Sequence, residues 1–587
     1  MNDTGPPQTV VTLDLAGSAA KSLFLGSILE QNIFPFPSPD PDEAETVKLI
    51  ISSIDKFFQS KTEDLSRYDE ENSCPPEYLE ELKALGLFGL IIPEEFGGIG
   101  LSSMAYARVM QQISRHDGST PVIAGAHSSI GLKGLLLFGT EEQKAKYLPR
   151  LATGELIAAF CLTEACAGSD AAAIRTQATR NSDDSWTLSG EKIWITNGPF
   201  ADFFTVFAKT DVKTGEISAF IVERAWAGVS VGPKEEKMGI RTSSTSSVIF
   251  EDVRIPSESL LGKQGEGFKM AMSILNSGRS GIGGGCVGAM KESIKRAAVQ
   301  AQDRKQFGKS ISEFGLIKGK ISQMTVDCFA AESVVNMVAY YIDTDCEDFS
   351  VEAAICKVFC AEALWRTANE ALQIAGGNGY MKEFPYEKLV RDCRINMIFE
   401  GTNEILRIFI ALAGMKDAGE YLKEIGKSAA SIFNDPIQGF GMVTEYAQRK
   451  LAQLTSLGRD KLQSVDKVFE HEAYIFELYT VRFTKTVEAL LKEYRKEIIS
   501  KQLILKRVAD ITIDLFVGLC VISRASQMVA QLGEPACQKE ILIAKLFTQQ
   551  AKRRMNQTIR RIAKNEDQAV EHLSEVVVEK SGVLWDN

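Results

Sequence analysis

The spacing of apolar residues changes character twice along this chain, and that switch constrains the fold more than any other feature. Over 43–151 apolar side chains recur at three and four, in VKLIISSIDKFF, YLEELKALGLFGLI and YARVMQQISR, as they do in helices with one buried stripe. Over 156–261 the runs become short, alternating or β-branched, in SWTLSGEKIWITNG, FFTVFAKT, ISAFIVER and SSVIFEDVRI, with Gly, Asn and Asp turns between them. Helical spacing then returns over 267–415 in long stretches such as AMKESIKRAAVQAQDR and VEAAICKVFCAEALWRTANEALQIAGG. The pattern predicts an α+β chain with an extension over 1–42, a helical domain over 43–155, a β domain over 156–266 and a helical bundle over 267–415. A linker over 416–442, containing the breaker cluster NDPIQGFG, precedes an additional helical domain over 443–587.

Such a chain needs core material, and 45% of its 587 residues are hydrophobic. Its 66 Lys and Arg against 77 Asp and Glu leave a net charge of −11. That balance argues against nucleic acid as a partner and leaves anionic ligands to local cations and backbone N–H groups. The eleven cysteines are scattered with no C-x-x-C pair, so no disulfide framework or zinc site is expected and a reducing compartment fits. Four histidines without an H-E-x-x-H offer little for metal or triad chemistry. The most apolar long stretch, 511–529, is broken by Asp514 and Arg524, so no membrane span is expected. The first residues, MNDTGPPQTVVTLDLAG, read neither as a signal peptide nor as a transit peptide, so either none existed or it has been removed.

Several motifs carry chemistry. Gly283-Gly284-Gly285-Cys286-Val287-Gly288 matches a dinucleotide fingerprint but follows a helical stretch instead of a strand, and is read as small residues that let helices pack closely. Thr163-Glu164-Ala165-Cys166-Ala167-Gly168-Ser169-Asp170 is a polar loop after the apolar run AAFCL, with hydroxyls and N–H groups able to meet a cofactor. Trp194-Ile195-Thr196-Asn197-Gly198 ends a strand with an indole able to cover a planar ring. Taken singly, each also fits a hairpin turn or a core Trp. Arg304-Lys305-Gln306-Phe307-Gly308 breaks two long helices and offers cations to a pyrophosphate, or is a solvated turn. Glu400 lies in Arg394-Ile-Asn-Met-Ile-Phe399-Glu400-Gly401-Thr402-Asn403-Glu404-Ile405, after mostly apolar residues and before a Gly and a Thr able to cap a helix. In apolar surroundings such a carboxylate is a base toward a weak carbon acid; a half-exposed linker Glu is the other reading.

Together, T-E-x-x-A-G-S-D, W-I-T-N-G, R-K-Q-F-G, Q-I-x-G-G-N-G-Y and F-E-G-T-N-E-I, in this order, resemble the acyl-CoA dehydrogenase flavoprotein family over about 57–415. FPFPSPD, GAHSSIGLKG, SEFGLI and the extra C-terminal block resemble its very-long-chain branch, which includes family member nine, also a respiratory complex I assembly factor. The resemblance implies an N-terminal helical domain, a β-barrel-like middle domain, a C-terminal four-helix bundle and an extra helical domain. It implies FAD as cofactor and α,β-dehydrogenation of long or very long acyl-CoA to trans-2-enoyl-CoA, the first step of fatty acid β-oxidation. Electrons would pass to electron-transfer flavoprotein, an oxidase being the enzymatic alternative and a complex I assembly role the non-enzymatic one.

By the same resemblance, Phe160, Leu162, Thr163, Gly168 and Ser169 would line the flavin, with Ser169 near CoA, and Trp194, Ile195 and Thr196 would lie against the ring. Arg304, Gln306, Phe307, Gln373 and Gly377 would reach the FAD of a neighbouring subunit, implying a homodimer, and Thr402 and Glu404 would contact FAD. Glu400 would take the α-proton while the β-hydride goes to the flavin; Asn276, Arg279, Phe399 and Gly401 would flank the substrate. In some branches the base precedes the substrate-site Arg, where this chain has Gly278, so the resemblance leaves Glu400 as the base. The usual T-E-P reads Thr163-Glu164-Ala165, which puts loop rigidity in question. Gly125 and Gly131 would either leave room for a long acyl tail or serve packing. The branch also implies peripheral membrane contact around 432–442, aided by Lys552, Arg553, Arg554, Arg560, Arg561 and Lys564 or else leaving these as a solvated face. The location would be the mitochondrial matrix or inner membrane in a eukaryote, and the cytoplasmic side of the membrane in a bacterium.

Overall fold

The computed structural model describes residues 17–431 and 460–585. It divides into two compact units, one of residues 37–405 and the other, among the described residues, of 17–36 with 406–431 and 460–585. The span 432–442, expected at a membrane, lies outside the described residues.

The first unit opens with helix Pro41–Gln59, not at residue 43: Asp40 accepts from the N–H groups of Asp42 and Glu43 at 2.8 and 3.1 Å, and Pro41 takes the first helical position. Helix Ser103–Ser114 and the segment Thr120–Phe138 follow. The latter is long and apolar enough to cross a membrane by length and composition, yet 61% of it is buried inside the protein, as in a core helix. Its middle, Ala126–Gly131, is wound as a π-helix, a distortion often found at functional sites.

Eight strands follow: β1 (Ala158–Cys161), β2 (Gln177–Arg180), β3 (Trp186–Thr196), β4 (Phe203–Asp211), β5 (Glu216–Glu223), β6 (Val229–Val231), β7 (Thr245–Ile255) and β8 (Leu260–Leu261). Their order is β6-β7-β3-β2-β4-β5-β8, with β1 parallel to β4. Strand β4 shows the period of two at work. Phe204, Val206 and Ala208 face the core of the β domain with Leu188, Phe220 and Val248. Phe203 and Phe207 face the opposite side, in a core with Leu132, Leu135, Leu148 and Ile274 from the helices.

Helices Gly267–Asp303, Gly315–Asp343 and Ser350–Ala375 make the bundle. The G-x-G-x-x-G stretch lies inside the first of them and does pack helices. A Cβ on Gly283 would stand 2.7 Å from Val335 Cγ2, on Gly284 2.6 Å from the Ala107 carbonyl and on Gly288 2.0 Å from that of Gln111. Helix Asn403–Ser431 starts after the Glu400 segment and runs on through 416–431, where a linker was expected, because the helical spacing persists until the breaker cluster.

In the second unit, helices Glu470–Tyr494, Gln502–Leu532 and Gln538–Ala563 form the core, with Asp567–Lys580 after them. The apolar run at 511–529 is the central helix of this unit: Ile511, Leu515, Phe516, Leu519 and Ile522 are fully buried. Asp514, which interrupts it, pairs with Arg554 at 2.6 Å, so Arg554 of the basic stretch is engaged within the unit. Leu23, Phe24 and Ile33 complete this core from the other end of the chain. Phe24 meets Phe483 edge to face, Thr484 Oγ1 donates to the Leu23 carbonyl and Ser523 Oγ to that of Ile33.

Candidate active site

Glu400 ends a turn made of two left-handed residues in a row, Glu400 at φ +53° and Gly401 at φ +92°. Glycine adopts this conformation freely; for glutamate it is strained. The turn is followed by Thr402, whose Oγ1 accepts from the Ile405 N–H at 3.3 Å and caps the next helix, as the sequence suggested. Glu400 is half-buried, and its Oε2 is sealed from solvent with no hydrogen-bond partner.

Two buried cations act on that carboxyl, and a buried phenol feels its charge. Arg279, on helix Gly267–Asp303, is buried and donates through Nη1 to Asn276 Oδ1 at 2.6 Å, while its Nε has no partner. Lys357, on helix Ser350–Ala375, is 0% exposed and donates to the Gly401 carbonyl at 2.8 Å and to Asn403 Oδ1 at 3.0 Å. Tyr106 shares a hydrogen bond of 2.8 Å with Ser129 of the π-helix. Burial pushes the Glu400 carboxyl up to about 7, against the pull of Arg279 and Lys357. Burial likewise draws Arg279 down to about 10 and Lys357 down to about 8, with Glu400 opposing both shifts, and raises the Tyr106 phenol to about 12. Gly278 faces this same place: a Cβ there would lie 3.3 Å from Ile130 Cγ2 and 3.4 Å from the Ser129 carbonyl. A carboxyl that titrates near neutrality, with cations beside it, can accept a proton from a weak acid and then hold it.

The second part of the site is a surface of the β domain. Lys192 is fully buried and donates to Glu164 Oε1 at 2.7 Å and to the Leu162 carbonyl at 3.1 Å. Glu164 also accepts from the N–H groups of Arg175 at 2.5 Å and Thr176 at 3.0 Å. This buried pair fastens the 163–170 loop, so the order that proline would give is supplied by ionic anchoring. The Ile193 N–H donates to the Thr163 carbonyl at 2.9 Å, which brings the Thr163 and Trp194 motifs side by side. A register shift between Lys192 and Ile195 bulges β3, and Trp194, at φ +56°, is left 64% exposed. Bulges re-aim side chains in this way beside active sites.

The other anticipated residues sort by their surroundings. Gly168 and Ser169 are exposed and Thr163 and Thr196 half-buried on the same stretch. The Ile195 and Leu162 side chains, by contrast, belong to the hydrophobic cores, and half-buried Phe160 packs on Phe207. Only the backbone of Ile195 and Leu162 is therefore left for a ligand. Arg304, Gln306 and Phe307 form a hairpin, Lys305–Gln306 against Lys309–Ser310, whose turn residues Phe307 and Gly308 both have positive φ. Phe307 is 93% exposed. Arg279 lies in the first half of helix Gly267–Asp303, and this hairpin follows the helix's far end, about 36 Å on at 1.5 Å per residue. Gln373, also exposed, follows Lys357 by about 24 Å along their helix on the same rise, and exposed Gly377 lies just past that helix's end. Neither group joins the Glu400 cluster. Phe399 and Gly401 flank Glu400 and are half-buried, and Glu404 is exposed.

Lys357, Tyr106, Ser129 and Lys192 were not singled out from the sequence. Lys357 left one trace, a lone cation amid AAICKVFCA, which buried apolar runs rarely carry without a task. Tyr106 occupies an apolar position of its helix and reads there as core.

Family models match in chain order: the acyl-CoA dehydrogenase N-terminal domain over 44–155, the middle domain over 159–253 and the C-terminal domain over 265–415. The ACAD9/ACADV C-terminal domain matches 467–583. The fold and these matches define an FAD-dependent oxidoreductase, and the chain belongs to the acyl-CoA dehydrogenase family. Among its relatives, the mitochondrial very long-chain specific acyl-CoA dehydrogenase of Bos taurus is 39% identical, covering 100% of this chain and 92% of its own. The Homo sapiens protein of the same description is 40% identical over 97% of this chain and 88% of its own. A solved acyl-CoA dehydrogenase complexed with FAD from Bacillus anthracis superposes with a TM-score of 0.79 at 32% identity, covering 94% of each chain.

The residues present fit FAD. An exposed indole on a strand bulge, beside the hydroxyls of Thr163, Ser169 and Thr196, suits a planar ring with polar edges. At Gly168 and Gly377 a Cβ would meet no heavy atom within 4 Å, which leaves the backbone open to close approach.

Proposed function

We propose that this chain dehydrogenates long or very long fatty acyl-CoA thioesters to trans-2-enoyl-CoA, with Glu400 as the base and electron-transfer flavoprotein as acceptor. The observation that carries the reading is the Glu400 carboxyl itself, its Oε2 sealed from solvent without a hydrogen-bond partner, pushed up by burial to about 7 against the pull of Arg279 and Lys357. Bound FAD supplies the hydride acceptor. Glu400 removes the α-proton; an ionised carboxylate is a weak base for a carbon acid, and burial raises its basicity. The Glu400 backbone N–H, on the left-handed turn, is the donor this chain offers to the thioester oxygen, where charge gathers as the proton leaves. Trp194, Thr163 and Thr196 hold the ring, while Thr402 and Glu404 approach it from the capped helix. Asn276, Arg279, Phe399, Gly401 and Ser169 line the substrate.

The preference for long chains rests on the relatives named very long-chain specific, and on Gly125, whose nearest neighbour to an added Cβ is Met110 Cε at 3.8 Å. Gly131 does not add to it, because a Cβ there would meet the Ala126 carbonyl at 2.5 Å, a packing demand. A homodimer is supported by the hairpin that carries Arg304, Gln306 and Phe307 so far from its own Glu400. A mitochondrial location follows the named relatives.

Anaerobic bleaching of the oxidised flavin by saturated acyl-CoAs of graded length tests the reading. Rapid bleaching by long chains, reduced on the order of 10²–10⁴-fold in Glu400→Gln, is expected. A flavin-loaded Glu400→Gln protein that bleaches at the wild-type rate would remove Glu400 from the reaction.

A further inference from the structure

Lys357 is buried more completely than a lysine ordinarily is. It is 0% exposed, with Val351, Ala354, Ile355, Val358 and Cys360 of its own helix also buried. Its hydrogen-bond acceptors are both neutral, the Gly401 carbonyl at 2.8 Å and Asn403 Oδ1 at 3.0 Å. An ammonium buried against neutral oxygens costs several kcal/mol in desolvation, and an amide of similar length would make the same bonds without that cost. The retained charge therefore points to something else it acts on. The two acceptors bracket the turn that follows Glu400, and the carboxyl of Glu400 is the largest favourable charge acting on Lys357.

We propose that Lys357 is a positioning residue for Glu400: its ammonium clamps the Gly401 carbonyl and the Asn403 side chain, holds the left-handed Glu400–Gly401 turn, and by its charge favours the carboxylate form of Glu400. The clamp explains how two consecutive left-handed residues persist, since such strain lasts only where the surroundings over-determine it. Asn403 is itself fixed from its other end, its Nδ2 donating to Glu362 Oε1 at 3.2 Å, so the acceptor faces Lys357. The charged and titratable groups that face this pair are Arg279 and Tyr106 toward Glu400, and Arg279, Cys286 and Glu404 toward Lys357. Arg279 is bonded to Asn276 and not to the turn, so its charge acts on Glu400 without holding the backbone.

The proposal deepens the reading of Glu400 as the base and rests on it for its catalytic meaning. Its test does not require turnover. In the FAD-loaded full chain, the Glu400 carboxyl is titrated by infrared difference spectroscopy, its band being the one absent from Glu400→Gln. Lys357→Gln keeps a donor and loses the charge, Lys357→Met loses both and suits an apolar site if the amide does not fold, and Lys357→Arg keeps the charge. The neutral variants are expected to move the Glu400 titration upward by about one pH unit, the low end of the effect of one nearby charge, and Lys357→Arg to return it toward wild type. The acid limb of flavin reduction by acyl-CoA moves with it. A neutral variant that folds, holds FAD and titrates as wild type overturns the proposal, whatever its thermal stability. If no acyl-CoA bleaches the wild-type flavin, the reading of function fails while the infrared titration still decides the coupling.

Discussion

At neutral pH Glu400 sits near the midpoint of its own titration, and two measurable consequences follow. A base must be ionised to accept a proton, so flavin reduction by substrate is expected to lose about tenfold per pH unit below 7 and to level off above it. Stopped-flow bleaching across pH 5–9, in ~1-unit steps, checks this. The second consequence concerns stability. The carboxyl ionises near 4.5 when unperturbed and near 7 in the folded protein, so the folded state binds its proton more tightly. Its contribution is whole below about 4.5 and declines as pH rises to about 7. The melting temperature of Glu400→Gln relative to wild type should therefore climb across that window and stay flat above it. A difference that falls over the same range would contradict the shift.

At the scale of elements, packing places the chemistry. Helix Gly267–Asp303 lies close to helix Ser103–Ser114 because Gly284 and Gly288 have no side chain, and this is also how Arg279 and Tyr106 share one region. Gly288→Ala, with its new Cβ against the Gln111 carbonyl, is expected to cost about 1–3 kcal/mol in urea unfolding. The Glu164–Lys192 pair fixes the cofactor loop in the same indirect way. Glu164→Gln leaves the Lys192 charge buried without its counter-charge, a cost of about 3–5 kcal/mol, and FAD release followed by fluorescence should become faster. These devices also mark how far the sequence could be read. The Thr163, Trp194 and Glu400 motifs are contiguous, so each announced itself. Lys357 meets its acceptor 44 residues away, and Lys192 meets Glu164 across 28, so neither pairing is written in any one segment. A place in a motif does not say which way a side chain points: along β3 the Ile195 side chain turns into the core and the bulge gives the exposed place to Trp194.

For the whole molecule, the division into units separates chemistry from much of the stability. Every residue assigned to flavin, substrate or base lies within Pro37–Ile405. Phe24, 1% exposed in the other unit against Phe483, can be cut back without touching them. Phe24→Ala should cost about 3–5 kcal/mol in the unfolding of its unit, while the bleaching rate per bound flavin stays at the wild-type value; a slowed rate would tie the two units together in function. That second unit joins segments of the chain that are synthesised far apart in time. Leu23 is bonded to Thr484 across 461 positions and Ile33 to Ser523 across 490. A ribosome adding about 5–20 residues per second needs roughly 20–100 s to span that gap. For most of that interval Leu23, Phe24 and Ile33 are outside the exit tunnel with their docking partners still unsynthesised. This short apolar segment is therefore where a holdase chaperone would grip the nascent chain, and where slowed translation of the C-terminal helices would first be felt as aggregation.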